Sequence, residues 1–507
     1  MMTPLDGIPF FCLTDSYKIT HPFIYPEAKK MVAYGEFRSG FDDDTNDTRM
    51  IFVGLRYIIE NYVSRKWTLQ ELEKADKFFS THNAGFTPFP FPKDLFQKFI
   101  QENDGHFPVK IEALPEGSVC YKRTPVYQIT AEKEYSRLVT FLETILTMVW
   151  YPSTVATLSR RVKDSIEKSY EETVDEDSYW TLSSRLHDFG FRACTSIEQS
   201  ILGGAAHLLN FDGTDTLSAA YYAQFMLNDG NPVGSSIPAT EHSVMTSFET
   251  ERDAMKHMIN TFGTGVYACV MDSYDYAHAL DKVLPSIAQA KLEKGGFLVI
   301  RPDSGDQIES VMMGLRAADK VFGSTINKKG YKVLKNCGVI QGDGLNHDII
   351  KKILVEMKHA GFSAQCVAFG MGGGLLQKVN RDTMSFATKL CHVIYVNGAA
   401  RDVMKVPKTD ESKTSLPGEF EVRLNEKKIP IVYPLNAGPS NHPNILQVVY
   451  DNGPIHPSPY TESFADMRQR ISKEWSSLPP NYDVISEQLK ERIGEFLQRH
   501  KQTEHQL

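Results

Sequence analysis

The chain has 507 residues, of which 41% are hydrophobic, 23% charged and 11% aromatic, with 34 Gly and 26 Pro. This is ordinary globular usage, so collagenous, coiled-coil and disordered classes are excluded, and the length calls for two or three domains or one large barrel with additions. With 55 Lys plus Arg against 63 Asp plus Glu, the net charge is -8; no global basic field is available for nucleic acid or an anionic membrane, and any phosphate must be held by local groups.

The first residues, MMTPLDGIPFFCLTDSYK, lack the basic and then apolar order of a signal peptide, and no stretch approaches the roughly 20 apolar residues of a membrane helix, so an untargeted, soluble, cytoplasmic protein is expected. Seven scattered cysteines (Cys12, Cys120, Cys194, Cys269, Cys337, Cys366, Cys391) never form CxxC. That argues against zinc and against a disulfide framework, and fits small buried hydrophobes in a reducing compartment. Next come a polar turn at DSYK (15–18), a strand at MVAYGEFR (31–38) and a helix at FVGLRYIIENYV (52–63). A β-like VKIEALPEGSVCY (109–121) with a PEG turn and a helix around 141–161 follow.

From about 185 to 375 short apolar runs repeatedly end in polar or glycine-rich residues, and amphipathic helices often follow. The endings are RLHDFGFR (185–192), LLNFDGTD (208–215), SSIPATEH (235–242), ACVMDSYD (268–275), LVIRPDSG (298–305), VIQGDG (339–344) and VAFGMGGG (367–374). Helices are expected over 245–262, 276–294 and 347–362. The fold class this implies is α/β, a (β/α) barrel of about seven strands over 181–390, whose active site gathers at the C-terminal ends of the strands. Those ends carry Asp188, Arg192, Asp215, His242, Asp275, Arg301, Asp303 and Asp343. Residues 1–180 and 391–507, with strands at EFEVRLNE and IPIVYPLN and a charged helix over 485–501, are expected to form one mixed α+β domain. A fraying tail is expected after Lys501.

Each motif admits a structural and a functional reading. Gly370-Met371-Gly372-Gly373-Gly374 is either a tight βα turn or a phosphate cradle, with Lys378, Arg381 and Lys389 as nearby cations; it fails both the dinucleotide fingerprint and the P-loop. Asp303 in RPDSG and Asp343 in QGDG either cap the next helix or meet sugar hydroxyls and Mg²⁺-bound water. His242 is a general base, a phosphate carrier or a hydrogen-bonded wall residue. Phe189 belongs to the core, or flanks a ligand together with Arg192. HExxH and GxSxG are absent from the sequence, which lowers zinc enzymes and hydrolases. No strand ending supplies the Schiff-base Lys of a barrel aldolase.

TDSYKITH, LHDFGFR, FDGTDT, SIPATEHS, DSYD, IRPDSG, VIQGDG, FGMGGGLLQKVNRD and VNGAARDVMKVPK, in this order, resemble the nicotinate/nicotinamide phosphoribosyltransferase family of type II phosphoribosyltransferases across nearly the whole chain. The resemblance implies transfer of the phosphoribosyl group of 5-phosphoribosyl 1-pyrophosphate to nicotinamide, giving nicotinamide mononucleotide and pyrophosphate for NAD salvage. It also implies Mg²⁺ assisting the leaving group, ATP as an optional co-substrate that phosphorylates His242, and a homodimer with shared active sites. By the same resemblance the pyridine ring stacks between Phe189 and Tyr17 of the other subunit, and Asp215 accepts from the carboxamide and repels the carboxylate of nicotinate. Arg301, Pro302, Asp303, Gly342 and Asp343 meet the ribose. Gly372, Gly373, Arg381 and Lys389 hold the 5-phosphate, and Arg38, Arg192, His242, Arg301, Lys405 and Lys413 meet diphosphate or nucleotide. His242, Arg301 and Asp303 are the implied catalytic set, with the carboxylates orienting rather than abstracting.

Two positions depart from the family pattern. Met271 replaces a small serine beside the ring pocket, and Ala387, expected on a helix, replaces a serine that helps hold the phosphate. Nicotinate as the acceptor is the alternative within the class, and Asp215 argues against it. A signalling or scaffold role would leave the charged barrel mouth without purpose.

Overall fold

The computed structural model describes residues 7–410 and 413–504. They fall into two compact units: one built from Met1–Thr154, Asn380–Glu462 and Gln469–Leu507, the other from Val155–Val379 and Ser463–Arg468. The boundaries expected from the sequence, at 180 and 390, differ from these, and both differences have local causes. The helix expected to end near 161 runs over Trp150–Thr173, and within it Arg160 pairs with Asp164 and Glu167. The polar stretch after 161 is therefore a continuing helix face, not a connection. At the other boundary, FATKLCHVIY forms the strand Phe386–Tyr395, which pairs antiparallel with Ala28–Phe37 of the first unit. Ala387 accordingly lies in a strand opposite Glu36 and not on a helix. The β-branched and aromatic residues of that run favour a pleated, half-buried surface.

The second unit contains a parallel sheet in the order Gly213–Thr214, Leu186–Asp188, Val367–Met371, Cys337–Gln341, Phe297–Arg301, Val266–Val270. Such strands are covered on both faces, and CGVIQ and VAFGM are almost wholly buried, as continuous apolar runs require. A further extended segment bridges the two outer strands, with Ser235 against Gly213 and Ala239 against Ala268. Ala268, Val299 and Ile340 form a buried cluster against which Phe189, Ile237 and Ala368 pack. The register pairs Asp188 with Thr214 and Met371, and Val270 with Arg301. The strand ends that carry the motifs are thus neighbours in space.

The helices follow the pattern with two corrections. The helix expected over 245–262 is two, His242–Thr246 and Glu251–Phe262, because the Thr250 hydroxyl accepts the Asp253 N–H and starts the second. The stretch 276–294 is helical throughout but widens to a π-turn over Ala279–Val283, just before Pro285. His347–His359 buries Ile350, Ile353, Leu354 and Met357.

In the first unit a six-stranded sheet runs Ala400–Asp402, Phe386–Tyr395, Ala28–Phe37, Pro125–Glu132, Lys110–Ala113, Gln447–Asp451. The expected strands at 420–424 and 430–434 pair with each other. DSYK, expected as a turn, opens the helix Ser16–Ile24. The C-terminal helix spans Glu487–Glu504; of the tail expected to fray after Lys501, residues 505–507 lie outside the described residues. All seven cysteines are free, and five are buried. Among the described residues no helix is long and apolar enough to cross a membrane.

Candidate active site

The C-terminal ends of the parallel strands open into a cavity of about 800 Å³, within the range of small-molecule sites. Its lining includes Phe189, Arg192, Asp215, His242, Arg301, Asp303, Gly342, Asp343, Gly372 and Gly373, ten of the residues singled out from the sequence, together with Lys378. Pro302 is buried within its turn and does not reach the lining.

Phe189 follows the strand Leu186–Asp188 and is held by its N–H donating to the Met371 carbonyl at 3.0 Å. The ring rests on Ala268, Val299 and Ile340. Two glycines make room for it: a Cβ at Gly370 would lie 2.0 Å from the ring and one at Gly342 3.1 Å. The glycines of GMGGG and QGDG therefore have a steric task that phosphate binding alone does not explain. The Arg301 guanidinium carbon stands 5.4 Å from the ring centroid, a cation–π approach. Phe189 is thus both core and cavity wall, so its two sequence readings are not exclusive.

Arg301 donates to Asp303 Oδ1 at 2.7 Å. The Asp303 N–H donates to Asp272 Oδ2 at 2.8 Å, and the Ser304 hydroxyl to the same oxygen at 2.5 Å. Asp272, with 2% of its side chain exposed, therefore ties the RPDSG turn to the next strand end. His242 opens the short helix His242–Thr246; its Nδ1 is 3.2 Å from the Ser273 hydroxyl. Its Nε2 faces two carboxylates, 3.7 Å from Asp272 Oδ1 and 3.6 Å from Asp303 Oδ2. Asp272 is not singled out in the sequence, where Asp275 ends the same motif; the Asp275 side chain caps the following turn by accepting the His278 N–H. The available signal was position, since Asp272 follows the strand Val266–Val270 by only two residues.

Asp215 is exposed at the cavity wall and accepts from the Ser236 hydroxyl. The Asp343 N–H donates to the Gln341 side-chain oxygen at 3.0 Å, which shapes the QGDG turn. After the glycine run the helix is short, Gly373–Leu376, so the loop's own N–H groups carry any anion contact there. Met271 is buried, donates its N–H to the Arg301 carbonyl, and is absent from the cavity lining.

Tyr17, Arg38, Arg381, Lys389, Lys405 and Lys413 belong to the first unit. Burial, opposed by Glu143 and reinforced by Arg38, Lys405 and Lys18, pushes the Lys389 ammonium below its ordinary value, so Lys389, Arg38, Lys405 and Lys18 form one positive neighbourhood. Lys413 pairs with Asp410 at 2.8 Å. Tyr17 is 57% exposed.

The nicotinate phosphoribosyltransferase (NAPRTase) family matches residues 184–450, and the N-terminal domain of nicotinamide phosphoribosyltransferase matches residues 9–111. A nicotinamide phosphoribosyltransferase of Xanthomonas campestris pv. campestris is 40% identical over 415 residues, covering 80% of this chain and 86% of that protein. One of Acinetobacter baylyi is 28% identical over 520 residues, covering 94% and 98%. Among solved structures, human nicotinic acid phosphoribosyltransferase aligns over 95% of this chain and 99% of its own with a TM-score of 0.62 at 17% identity, a likeness of fold. With the family's match spanning more than half its length and a relative at 40% identity, the chain belongs to the nicotinate phosphoribosyltransferase family.

Proposed function

We propose that the protein is a nicotinamide phosphoribosyltransferase, joining nicotinamide to 5-phosphoribosyl 1-pyrophosphate and releasing pyrophosphate. The observation that carries this reading is a single cavity lined by an aromatic ring, a carboxylate at Asp215, the Arg301–Asp303 pair and a glycine loop. A flat pyridine suits the face of Phe189, and a carboxamide can donate to Asp215 where a carboxylate would be repelled. Two relatives carrying the name nicotinamide phosphoribosyltransferase, at 40% and 28% identity, point to the same acceptor.

Catalysis on this reading is positioning plus charge stabilisation. Asp303 and Asp343 orient the ribose hydroxyls, Arg301 offsets charge on the departing diphosphate, and the pyridine nitrogen attacks from the opposite face. That nitrogen carries no proton, so no general base is required. The remaining cations, Arg38, Arg192, Arg381, Lys389, Lys405 and Lys413, are assigned to the phosphates. For Mg²⁺, the described residues contain no group of three or more His, Cys, Asp or Glu placed to hold a metal. The Asp303 and Asp343 carboxylates at the cavity wall suit the water of an ion carried on diphosphate oxygens, where it would neutralise leaving-group charge. His242, with Nε2 turned to two carboxylates, is the proposed acceptor for ATP-driven phosphorylation. The six-stranded sheet with the bridging segment at 235 and 239 is read as a (β/α) barrel of about seven strands, and the protein as a homodimer.

The test is pyrophosphate release with 5-phosphoribosyl 1-pyrophosphate and Mg²⁺, comparing nicotinamide with nicotinate, with and without ATP. Turnover with nicotinamide and refusal of nicotinate, relaxed by Asp215→Asn, is the expected result. Preference for nicotinate would overturn the assignment of Asp215, and silence with both would overturn the reaction.

A further inference from the structure

Asp188 ends the strand Leu186–Asp188 and is fully buried. It does not line the cavity, although Phe189, which follows it, and Asp215, on the neighbouring strand end, both do. Its Oδ1 accepts the Gly190 N–H at 2.7 Å and so holds the turn that carries Phe189. Its carbonyl accepts the Asp215 N–H at 2.9 Å. Oδ2 and the Thr216 hydroxyl oxygen are both buried without a well-formed hydrogen bond, and the hydroxyl lies near enough to favour the carboxylate. A Cβ at Gly204 would lie 3.0 Å from that Oδ2 and 2.4 Å from the Ala219 Cβ, so the helices Ile197–Leu208 and Leu217–Leu227 pack closely over it.

A half-satisfied carboxylate in such a place is costly, and an asparagine would meet the same Gly190 N–H without the charge. The geometry therefore asks what the charge does. Of the titratable groups on the surrounding elements, His187 on the same strand and His207 on the covering helix are both pushed below their ordinary values by burial. Asp215 is the group whose charge acts on Asp188. By reciprocity, Asp188 acts on whatever negative charge comes to Asp215.

We infer that Asp188 is a positioning residue that sets ring specificity: it fixes the Phe189 turn from behind and places a second negative charge beneath Asp215, so that a carboxylate-bearing ring is refused and a neutral carboxamide admitted. This rests on the proposed ring pocket. Burial lifts the Asp188 carboxyl to about 6, opposed by the Gly190 N–H and the Thr216 hydroxyl and reinforced by Asp215. Above that pH its charge adds to the refusal of nicotinate; below it, Asp215 acts alone.

The experiment measures kcat/KM for nicotinamide divided by that for nicotinate, on the full chain at constant ionic strength between about pH 5 and pH 8. The ratio is expected to rise about two- to threefold as pH passes through 6, threefold being about half a pKa unit of coupling. Asp188→Asn should flatten the profile at its low-pH value, whereas Asp215→Asn should lower the ratio at every pH. A flat wild-type ratio overturns the inference without any variant, so it stays testable even if Asp188→Asn fails to fold. A folded Asp188→Asn enzyme that keeps the wild-type profile overturns it as well. Turnover of neither ring would remove the pocket reading and this inference together; nicotinamide turnover with a pH-independent ratio would remove the inference alone.

Discussion

Gly370 shows how a single absent methyl group shapes the site. Its Cβ position coincides with the Phe189 ring, 2.0 Å from the nearest ring carbon. Gly370→Ala must therefore displace the ring from its seat on Ala268, Val299 and Ile340. Overpacking of this kind costs about 1–3 kcal/mol. Much of that cost falls on the orientation of the ring, so the variant should fold while its KM for nicotinamide rises about tenfold or more and its KM for the phosphoribosyl donor changes little. Steady-state kinetics with each substrate varied separately checks this, and an unchanged nicotinamide KM would contradict the ring's assigned role. Phe189, Asp215, Arg301 and Asp303 were legible as sequence because each sits in a motif at a strand end. Asp272 and the clamping part of Asp188 were not. Their importance lies in which neighbouring backbone groups they hold, and that depends on strand register, which no local pattern encodes.

Among elements, the strand Ala28–Phe37 carries the sharpest conflict between burial and charge. Its period-2 alternation puts Glu36 on the same face as Tyr34, and both are fully buried. The Tyr34 hydroxyl donates to Glu36 Oε1 at 2.9 Å, while Oε2 has no hydrogen-bond partner among the described residues. Burial pushes the Glu36 carboxyl up to about 7 from an ordinary 4.5, against the pull of Arg123, the Tyr34 hydroxyl, Arg38 and Lys389. A carboxyl whose folded pKa is raised favours the folded state while it is protonated. That contribution is complete below the ordinary value and is lost as pH rises towards 7. At about 1.4 kcal/mol per unit the loss amounts to about 3 kcal/mol. Glu36→Gln should therefore flatten the stability profile between these two pH values and raise stability at alkaline pH, as read from urea midpoints across the range. An unchanged profile would show that Glu36 is not the titrating group. The strand itself was plain from its apolar and aromatic run, which is buried throughout Met31–Phe37. Its pairing with Phe386–Tyr395, more than 300 residues away along the chain, was not, and this is why the boundary near 390 was misplaced: periodicity reports an element's exposed and buried faces, not its partner.

At the scale of the whole molecule, the proposed homodimer makes a demand on the first unit that one chain leaves unmet. The helix Ser16–Ile24 leaves Tyr17 57%, Phe23 59% and Ile24 72% exposed, more apolar surface than one short helix of a monomer usually shows to water. If Tyr17 closes the ring site of the partner, no single chain holds a complete site, and two differently damaged chains can repair each other. Tyr17→Ala lacks the stacking face it would lend, and Arg301→Ala lacks the donor site but keeps Tyr17. Unfolding and refolding an equal mixture should make about half of the dimers mixed, each with one intact site. About a quarter of the wild-type rate should then return from two chains that are each nearly inactive alone. Were Tyr17 to serve its own chain, every site in the mixture would keep one lesion, and the rate would stay at the average of the two variants. Measuring pyrophosphate release before and after co-refolding separates these cases, because the arrangement in trans predicts a gain that neither a faster fold nor a more stable monomer can supply.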